Sequence, residues 1–374
     1  MKKTIALVLA LVLALGCLTS CGGNSKSNNA AADVKVAMIT DYGDITDQSF
    51  NQTTYEACKA FSEANSLDFS YFKPVSDSDE DRVSMIESAI DQGYNVVVMP
   101  GYAFGKAIES TAGNYPDITF IALDVSAGDF SEGYTIPANL YSAVYQEELC
   151  GYMAGVAAVK LGYTKLGFLG GMAVPAVQRY GYGFVQGADA AAAELGLSDV
   201  SVKYAYGNQF YGDADITAAM DAWYADGTEI VFACGGGIFT SAAEAAAKVS
   251  GKVIGVDVDQ AATIDGMYGE GMTVTSAMKG LAATVDTLLG EIVAGNFKDY
   301  GGQIQNLGLV GEDPELNYVQ IPMESTQWSD SFTKEDYAAL VAAMFAGEVE
   351  VSNDITALPE VGSHVTLNDQ GQIK

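Results

Sequence analysis

Two kinds of segment alternate along most of the chain from Val34 onward. Short runs of apolar, β-branched and aromatic residues predict strands, several of them uninterrupted, as in parallel sheets covered on both faces. The predicted strands are Val34–Thr40, Leu67–Phe72, Asn95–Met99, Ile118–Leu123, Lys165–Leu169, Val200–Tyr204, Glu229–Ala233, Lys252–Val256 and Met272–Thr275. Ala-rich segments with helical periodicity lie between them: Phe50–Asn65, Asp79–Gln92, Phe104–Asn114, Leu140–Leu161, Gly183–Leu195, Asp213–Asp226, Phe239–Val249 and Lys279–Ala294. The alternation predicts an α/β protein with two doubly wound sheets.

Several predicted strands end at aspartate or glycine directly before a predicted helix. Asp41, Asp124 and Asp257 follow three of them, and glycines follow others, including the run 235–237. Ligands of open α/β sheets bind beyond the carboxyl ends of the strands. A turn or a helix cap also explains any one of these residues, so the inference depends on their joint occurrence. Together they predict a ligand cleft between two facing sheets.

The first twenty residues have the pattern of a secretion signal. Lys2 and Lys3 precede an apolar run, Ile5–Leu15, that is too short for a stable membrane anchor. The following Leu18–Cys21 segment is similar to the bacterial lipoprotein box, in which the cysteine is acylated and becomes the first mature residue. We therefore expect removal of residues 1–20, a lipid such as palmitate on Cys21, and a flexible Gly/Ser/Asn-rich tether over 21–33. The protein would then be anchored on the extracytoplasmic face of the cell membrane; an ordinary cleaved signal is the alternative.

The chain is strongly acidic. Its 374 residues include 48 Asp and Glu but 18 Lys and Arg, giving a formal net charge of -30. Nucleic acid polymers and anionic lipid head groups require basic surfaces, so neither is an expected partner. His364 is the only histidine and the cysteines lack metal-ligand spacing, which disfavours metal sites and histidine catalysis. Cys58, Cys150 and Cys234 lie among apolar residues and are expected to be small buried side chains, not disulfide partners.

A series of motifs covers most of the chain in a fixed order. They are Thr40-Asp41 with Asp47–Gln52, Glu147-Glu148 with Gly151–Gly155, Lys165–Met172, Val174-Pro175, Gly183-Phe184 with Gly187, Ile254–Gln260 and Thr275–Lys279. In this order they resemble the basic membrane protein family, substrate-binding lipoproteins of ABC importers whose characterised members bind purine nucleosides.

This resemblance implies a type I periplasmic-binding-protein fold, in which two Rossmann-like lobes joined by three crossovers close on a ligand. On this chain it places residues 34–137 and 272–300 in the first lobe, and residues 138–271 and 301–374 in the second. The implied function is non-enzymatic and needs no cofactor: a monomer that delivers a purine nucleoside to an ABC permease and its ATPase.

The resemblance also implies a set of ligand-binding residues. Phe50 and Phe210 match the positions that sandwich the base, although Phe50 is also explained as a core residue, and Tyr211 is an alternative to Phe210. Asp47 and Asp124 match positions that accept hydrogen bonds from the base edge, and a helix cap is the competing interpretation of Asp47. On the sugar side, Asp257 matches the ribose-binding acid. Lys279 matches a lysine of a family motif, whose amine could donate to a ribose oxygen, and the Gly237 backbone N–H could be a further donor.

Two other functions are compatible with parts of the sequence. A sugar-binding protein of the same fold would also use aromatic platforms and carboxylates. A nucleoside hydrolase would need an acidic metal cluster near the first strand, which Asp41, Asp44 and Asp47 imitate. The glycine run 235–237 lacks the lysine and hydroxyl residue of a phosphate-binding loop, so nucleotide-binding enzymes are disfavoured.

Overall fold

The computed structural model describes residues 33–374, which form two lobes around two separate sheets. The strands are β1 (Lys35–Ile39), β2 (Asp68–Phe72), β3 (Val96–Pro100), β4 (Thr119–Leu123), β5 (Leu140–Tyr145), β6 (Lys165–Gly170), β7 (Val200–Tyr206), β8 (Ile230–Cys234), β9 (Lys252–Asp257), β10 (Thr273–Lys279), β11 (Gln303–Leu307), β12 (Val319–Gln320) and β13 (Val365–Gln372). The helices are α1 (Phe50–Asn65), α2 (Asp79–Asp91), α3 (Gly105–Thr111), α4 (Glu147–Lys160), α5 (Pro175–Leu195), α6 (Ala214–Ala225), α7 (Phe239–Ala247), α8 (Ala261–Tyr268), α9 (Leu281–Val293) and α10 (Lys334–Phe345).

The first lobe is built on six parallel strands in the order β11-β5-β4-β3-β1-β2. Its central strands are apolar throughout because helices cover both faces: α1 and α9 pack on one face, and α2 and α3 on the other. The second lobe has seven strands in the order β12-β10-β9-β8-β6-β7-β13, all parallel except β12. Helices α4 and α5 cover one face of this sheet, and α6, α7 and α8 cover the other. The predicted pair of doubly wound sheets is thus confirmed.

The chain crosses between the lobes at three places, near residues 146, 280 and 308–318. These positions correct the lobe boundaries drawn from the sequence. Residues 140–145, predicted to be helical and part of the second lobe, form β5 of the first sheet. Residues 273–279, assigned to the first lobe, form β10 of the second sheet, and β11 returns to the first. The error arose because Leu140–Tyr145 and α4 are both apolar, so periodicity did not separate a buried strand from a buried helix.

Four glycines bring α4 and α5 into backbone contact. A Cβ atom placed on Gly151 or Gly155 would lie 2.2 Å from the carbonyl oxygens of Tyr180 and Phe184, respectively. On the facing helix, a Cβ on Gly183 or Gly187 would lie 2.1 Å from a carbonyl oxygen of α4. The glycine spacings of both motifs therefore serve helix packing. This close contact fixes the amino-terminal ends of α4 and α5, which carry charged side chains of the site.

The last segment of the chain belongs mainly to the second lobe. Helix α10 packs against α4 through Tyr337, whose hydroxyl donates to Met153 Sδ at 3.7 Å and accepts from the Ile321 N–H. Strand β13 pairs with β7 and adds an edge to the sheet. Within residues 33–374 no helix combines the length and apolar character needed to cross a membrane. The predicted signal, the tether up to residue 32 and the lipidation at Cys21 lie outside the described residues.

Candidate ligand-binding site

A cleft that is partly open to solvent lies between the carboxyl ends of the two sheets; together with the solvent at its mouth it contains about 850 Å³ of space free of protein atoms. Six of the seven predicted ligand-binding residues line it: Asp47, Phe50, Asp124, Phe210, Asp257 and Lys279. Further lining residues come from α5 and from the loops after β1, β3 and β4. The fold therefore brings together predicted ligand-binding residues that are up to 232 positions apart in the sequence, from Asp47 to Lys279.

Two aspartates occupy equivalent positions in the two lobes. Asp124 directly follows β4 of the first sheet, and Asp257 ends β9 of the second. Both have left-handed backbone conformations, with φ of 62° and 64°. Aspartate tolerates this conformation better than most residues, and such strained positions cluster at functional sites. The sharp turn at each strand end places one carboxylate of each lobe in the same cleft.

The ammonium group of Lys279 lies between these carboxylates. Its Nζ atom is 2.5 Å from Asp124 Oδ2, 3.7 Å from Asp257 Oδ1 and 3.5 Å from Glu147 Oε1. It also lies 4.7 Å from the centroid of the Phe50 ring, a cation–π distance. Burial disfavours its charged form, but the three carboxylates outweigh burial and raise the pKa of Lys279. The lysine therefore stays charged although its side chain is only 3% exposed.

Asp124 retains unused hydrogen-bonding capacity. Its Oδ2 atom pairs with Lys279, whereas Oδ1 is buried without a hydrogen-bond partner among the described residues. Burial raises the pKa of Asp124 to about 6, although Lys279 acts in the opposite direction. An unpaired buried oxygen is costly, so a ligand N–H or O–H group that reaches Oδ1 would gain a strong hydrogen bond.

Asp257 is held from both lobes. Its Oδ2 atom accepts from Ser49 Oγ of the first lobe at 2.6 Å, and Oδ1 accepts from the Tyr180 hydroxyl at 3.3 Å. Each oxygen has a second lone pair that neither contact uses. The carboxylate can therefore accept from neighbouring ligand hydroxyls while remaining fixed in orientation.

Phe210 owes its position to glycines. A Cβ atom on Gly171 would lie 2.4 Å from Phe210 Cδ1, and one on Gly235 would lie 2.9 Å from it. Only glycine leaves room for this ring against the backbone at the ends of β6 and β8. Tyr211, the alternative stacking residue, is 62% exposed and does not line the cleft.

Two predicted residues have roles different from those expected. The Gly237 N–H donates to the Phe210 carbonyl at 2.9 Å, so it is not free for a sugar, and Gly237 does not line the cleft. Asp47 lines the cleft, but its carboxylate accepts four hydrogen bonds: from the N–H groups of Ser49, Asn51 and Gln52, and from the Asn51 side chain. These contacts leave no free lone pair for a base edge, so the helix-cap interpretation describes this residue.

The structure adds residues for which the sequence suggested no role. Arg179 of α5 lines the cleft, and its Nε atom donates to Glu147 Oε2 at 2.6 Å. Glu147 and Glu148 begin α4, and both are buried. Two adjacent acids within an otherwise apolar segment were the available signal, because charged residues are rarely buried unless paired. Arginine occurs at only two positions, 82 and 179, and this rarity was a second signal that each has a specific role.

Contacts also join the lobes at two edges of the cleft. The Tyr42 hydroxyl of the first lobe donates to Met172 Sδ of the second lobe at 3.4 Å. At another edge, Gln260 Nε2 donates to the Gln48 carbonyl at 3.0 Å. The lobes therefore touch at both of these contacts.

The acidic cluster imagined for a hydrolase is not assembled as a metal site. Asp41 accepts from the N–H groups of Tyr42 and Gly43, and Asp44 accepts from Thr46 and Lys73. Asp47 caps α1 as described above. Over residues 33–374, no three acidic, histidine or cysteine side chains converge as metal ligands would.

Comparison with known proteins identifies the family. Residues 34–337 match the family model named Bmp, described as ABC transporter substrate-binding protein PnrA-like. The chain belongs to this family. The family consists of solute-binding proteins of ABC transporters, so the predicted membership is confirmed. The solved structure described below confirms the predicted fold class.

Two relatives and one solved structure are similar to this chain. The ABC transporter nucleoside-binding protein BmpA of Lactococcus lactis subsp. cremoris (strain MG1363) is 32% identical over 277 residues, covering 70% of this chain and 75% of that protein. Basic membrane protein B of Borreliella burgdorferi is 27% identical over 300 residues, covering 78% and 83%. A crystal structure of solute-binding proteins from Aeropyrum pernix K1 superposes with a TM-score of 0.66 at 21% identity, covering 86% and 88% of the two chains.

Proposed function

We propose that this family member binds purine nucleosides such as adenosine, guanosine and inosine in the cleft and delivers them to an ABC permease. One observation carries the proposal: Asp124 from one lobe and Asp257 from the other line the same cleft, together with the rings of Phe50 and Phe210. A nucleoside has a flat base that suits aromatic rings and a ribose with vicinal hydroxyls that suit a carboxylate. The relative from L. lactis that is named a nucleoside-binding protein supports this ligand class.

The two ends of the proposed ligand bind different residues. Asp124 Oδ1 accepts from N–H groups at the base edge, since this buried oxygen has no partner among the described residues. Asp257 and Lys279 bind the ribose. A site built to pair with hydroxyl groups rejects ligands that lack them, because its own polar atoms would then stay unpaired. Free bases should therefore bind more weakly than nucleosides.

Closure of the cleft is part of the proposed mechanism. The contacts of Tyr42 with Met172 and of Gln260 with Gln48 join the lobes and would favour the closed state once a ligand bridges them. A lipid on Cys21 would keep the protein extracytoplasmic and close to the permease. A decrease in the radius of gyration on ligand addition, measured by small-angle X-ray scattering, would test closure.

Isothermal titration calorimetry with ligand-free protein tests the ligand class. We expect saturable binding of guanosine, adenosine or inosine, weaker binding of the free bases, and no binding of ribose at the same concentrations. Binding of ribose without binding of nucleosides would instead support the sugar-binding alternative. Native mass spectrometry of freshly purified protein gives an independent test, because closed-cleft binders often retain their ligand.

A further inference from the structure

We infer that Glu147 is a positioning residue that holds the Lys279 and Arg179 cations of the cleft in place and thereby sets the preference for nucleoside over free base. This inference rests on the proposed function, in which Lys279 binds the ribose. It assigns a role to a residue that does not itself line the cleft.

Glu147 is a completely buried carboxylate that contacts both cations. Its side chain has no exposed surface; Oε2 accepts from Arg179 Nε at 2.6 Å, and Oε1 lies 3.5 Å from Lys279 Nζ. A buried charge in this position must be paired on both oxygens. Because the two cations use different oxygens, one carboxylate fixes the separation between them.

The position of Glu147 in the fold makes it rigid. It is the first residue of α4, where the helix dipole favours a negative charge. Helix α4 is held against α5, which carries Arg179, through the backbone contacts at Gly151 and Gly183. Lys279 is the last residue of β10, just before the chain crosses to the first lobe. Glu147 itself directly follows another crossover, so it links two connections between the lobes.

Without Glu147, Lys279 would have Asp124 and Asp257 as its remaining carboxylate partners. Both are proposed ligand-binding groups, one for the base and one for the ribose. Glu147 is thus the one carboxylate partner of Lys279 that the ligand does not engage, and it keeps the ammonium group from moving further towards Asp124 and away from the ribose. Its loss should weaken contacts with the ribose more than contacts with the base.

The experiment compares Glu147→Gln with Glu148→Gln by calorimetry, using guanosine and guanine as ligands. Glu148 is the matched control because it is adjacent, also buried, and lies 3.9 Å from Arg179 without an ion pair to Lys279. We expect Glu147→Gln to lower guanosine affinity at least tenfold and guanine affinity less than threefold, while Glu148→Gln changes both less than threefold. An equal loss for both ligands would indicate a merely structural role and overturn the inference, as would unchanged guanosine binding.

The wild-type titration keeps the two proposals distinguishable. If wild-type protein binds no nucleoside, the proposed function fails; if it binds guanosine and the variant behaves like the control, only the role of Glu147 fails. Should Glu147→Gln not fold, a crystal structure of the wild-type protein with guanosine decides. We expect Lys279 Nζ to hydrogen-bond a ribose oxygen while remaining paired with Glu147, and a ribose out of reach of Lys279 would overturn the inference.

Discussion

Lys279 and Asp124 form an ion pair between the lobes, with Nζ 2.5 Å from Oδ2 and with side chains that are 3% and 11% exposed. Lys279 ends β10 of the second sheet, and Asp124 follows β4 of the first. The pair is close to the crossovers and faces the cleft. The ion pair at the centre of the site is therefore itself a contact between the lobes.

Replacement of Lys279 by Met should destabilise the protein strongly. Asp124, Asp257 and Glu147 would then lose a shared cation, and breaking a buried ion pair typically costs about 3–5 kcal/mol. Guanidinium unfolding monitored by circular dichroism measures the loss. Lys248→Met is the control, since its pair with Asp221 is exposed, and it should have little effect. Equal stability of the two variants would contradict the described network.

Replacement of Phe210 by Ala should weaken nucleoside binding. Loss of stacking and of buried apolar surface predicts an affinity about 10- to 100-fold lower. Phe50→Ala should cause a loss of the same order. Tyr211→Ala removes a neighbouring exposed ring that does not line the cleft and should leave affinity unchanged. Calorimetry compares the three variants, and a larger effect at Tyr211 than at Phe210 would refute the proposed stacking pair.

Nucleotides should bind far more weakly than nucleosides. The net charge of -30 and the carboxylates of the cleft oppose a phosphate, and both cations of the cleft, Lys279 and Arg179, are already paired with acids. Competition between guanosine and GMP measures the difference, and raising the salt concentration should reduce it by screening. Comparable affinities would show that the cleft has an anion site.

Glu148 should make stability depend on pH. Burial raises the pKa of Glu148 to about 7, with Glu147 contributing and Arg179 opposing. Because the native state then binds the proton more tightly than the unfolded state, stability is highest below the usual glutamate pKa and falls as pH rises towards 7. Relative to wild type, the Glu148→Gln variant should gain on the order of 3 kcal/mol of free energy of unfolding when the pH is raised from 4.5 to 8. Denaturant unfolding at both pH values tests this, and a constant difference between the proteins would disprove it.

The contact between α4 and α5 should not tolerate a methyl group. Gly183→Ala would place Cβ 2.1 Å from the Glu148 carbonyl oxygen, which belongs to the backbone and cannot rotate away. We expect a loss of about 1–3 kcal/mol or more. Gly266→Ala in α8 is the matched control: nothing lies within 4 Å, and alanine should stabilise this helix by up to about 1 kcal/mol. In thermal unfolding, Gly183→Ala should have a lower Tm than wild type and Gly266→Ala a higher one.

The fold and most of the cleft could be predicted from the sequence because both depend on local pattern. Uninterrupted apolar runs indicate strands that are buried on both faces, and residues at the carboxyl ends of parallel strands meet at one edge. Asp124 and Asp257 could be found in this way. The strand Leu140–Tyr145 could not, since an apolar run next to an apolar helix has no distinguishing period, and the lobe boundaries shifted with it.

By itself, the sequence determined the fold class, the family resemblance, the acidic character of the chain and the residue types at the strand ends. Only the tertiary structure decided which of their polar atoms are free. Asp47 and Gly237 are engaged within their own lobes, Asp124 Oδ1 is left without a partner among the described residues, and Glu147 joins two cations from α5 and β10. Hydrogen bonds and ion pairs depend on distances of a few ångströms between residues far apart in the chain, and spacing along a sequence does not contain those distances.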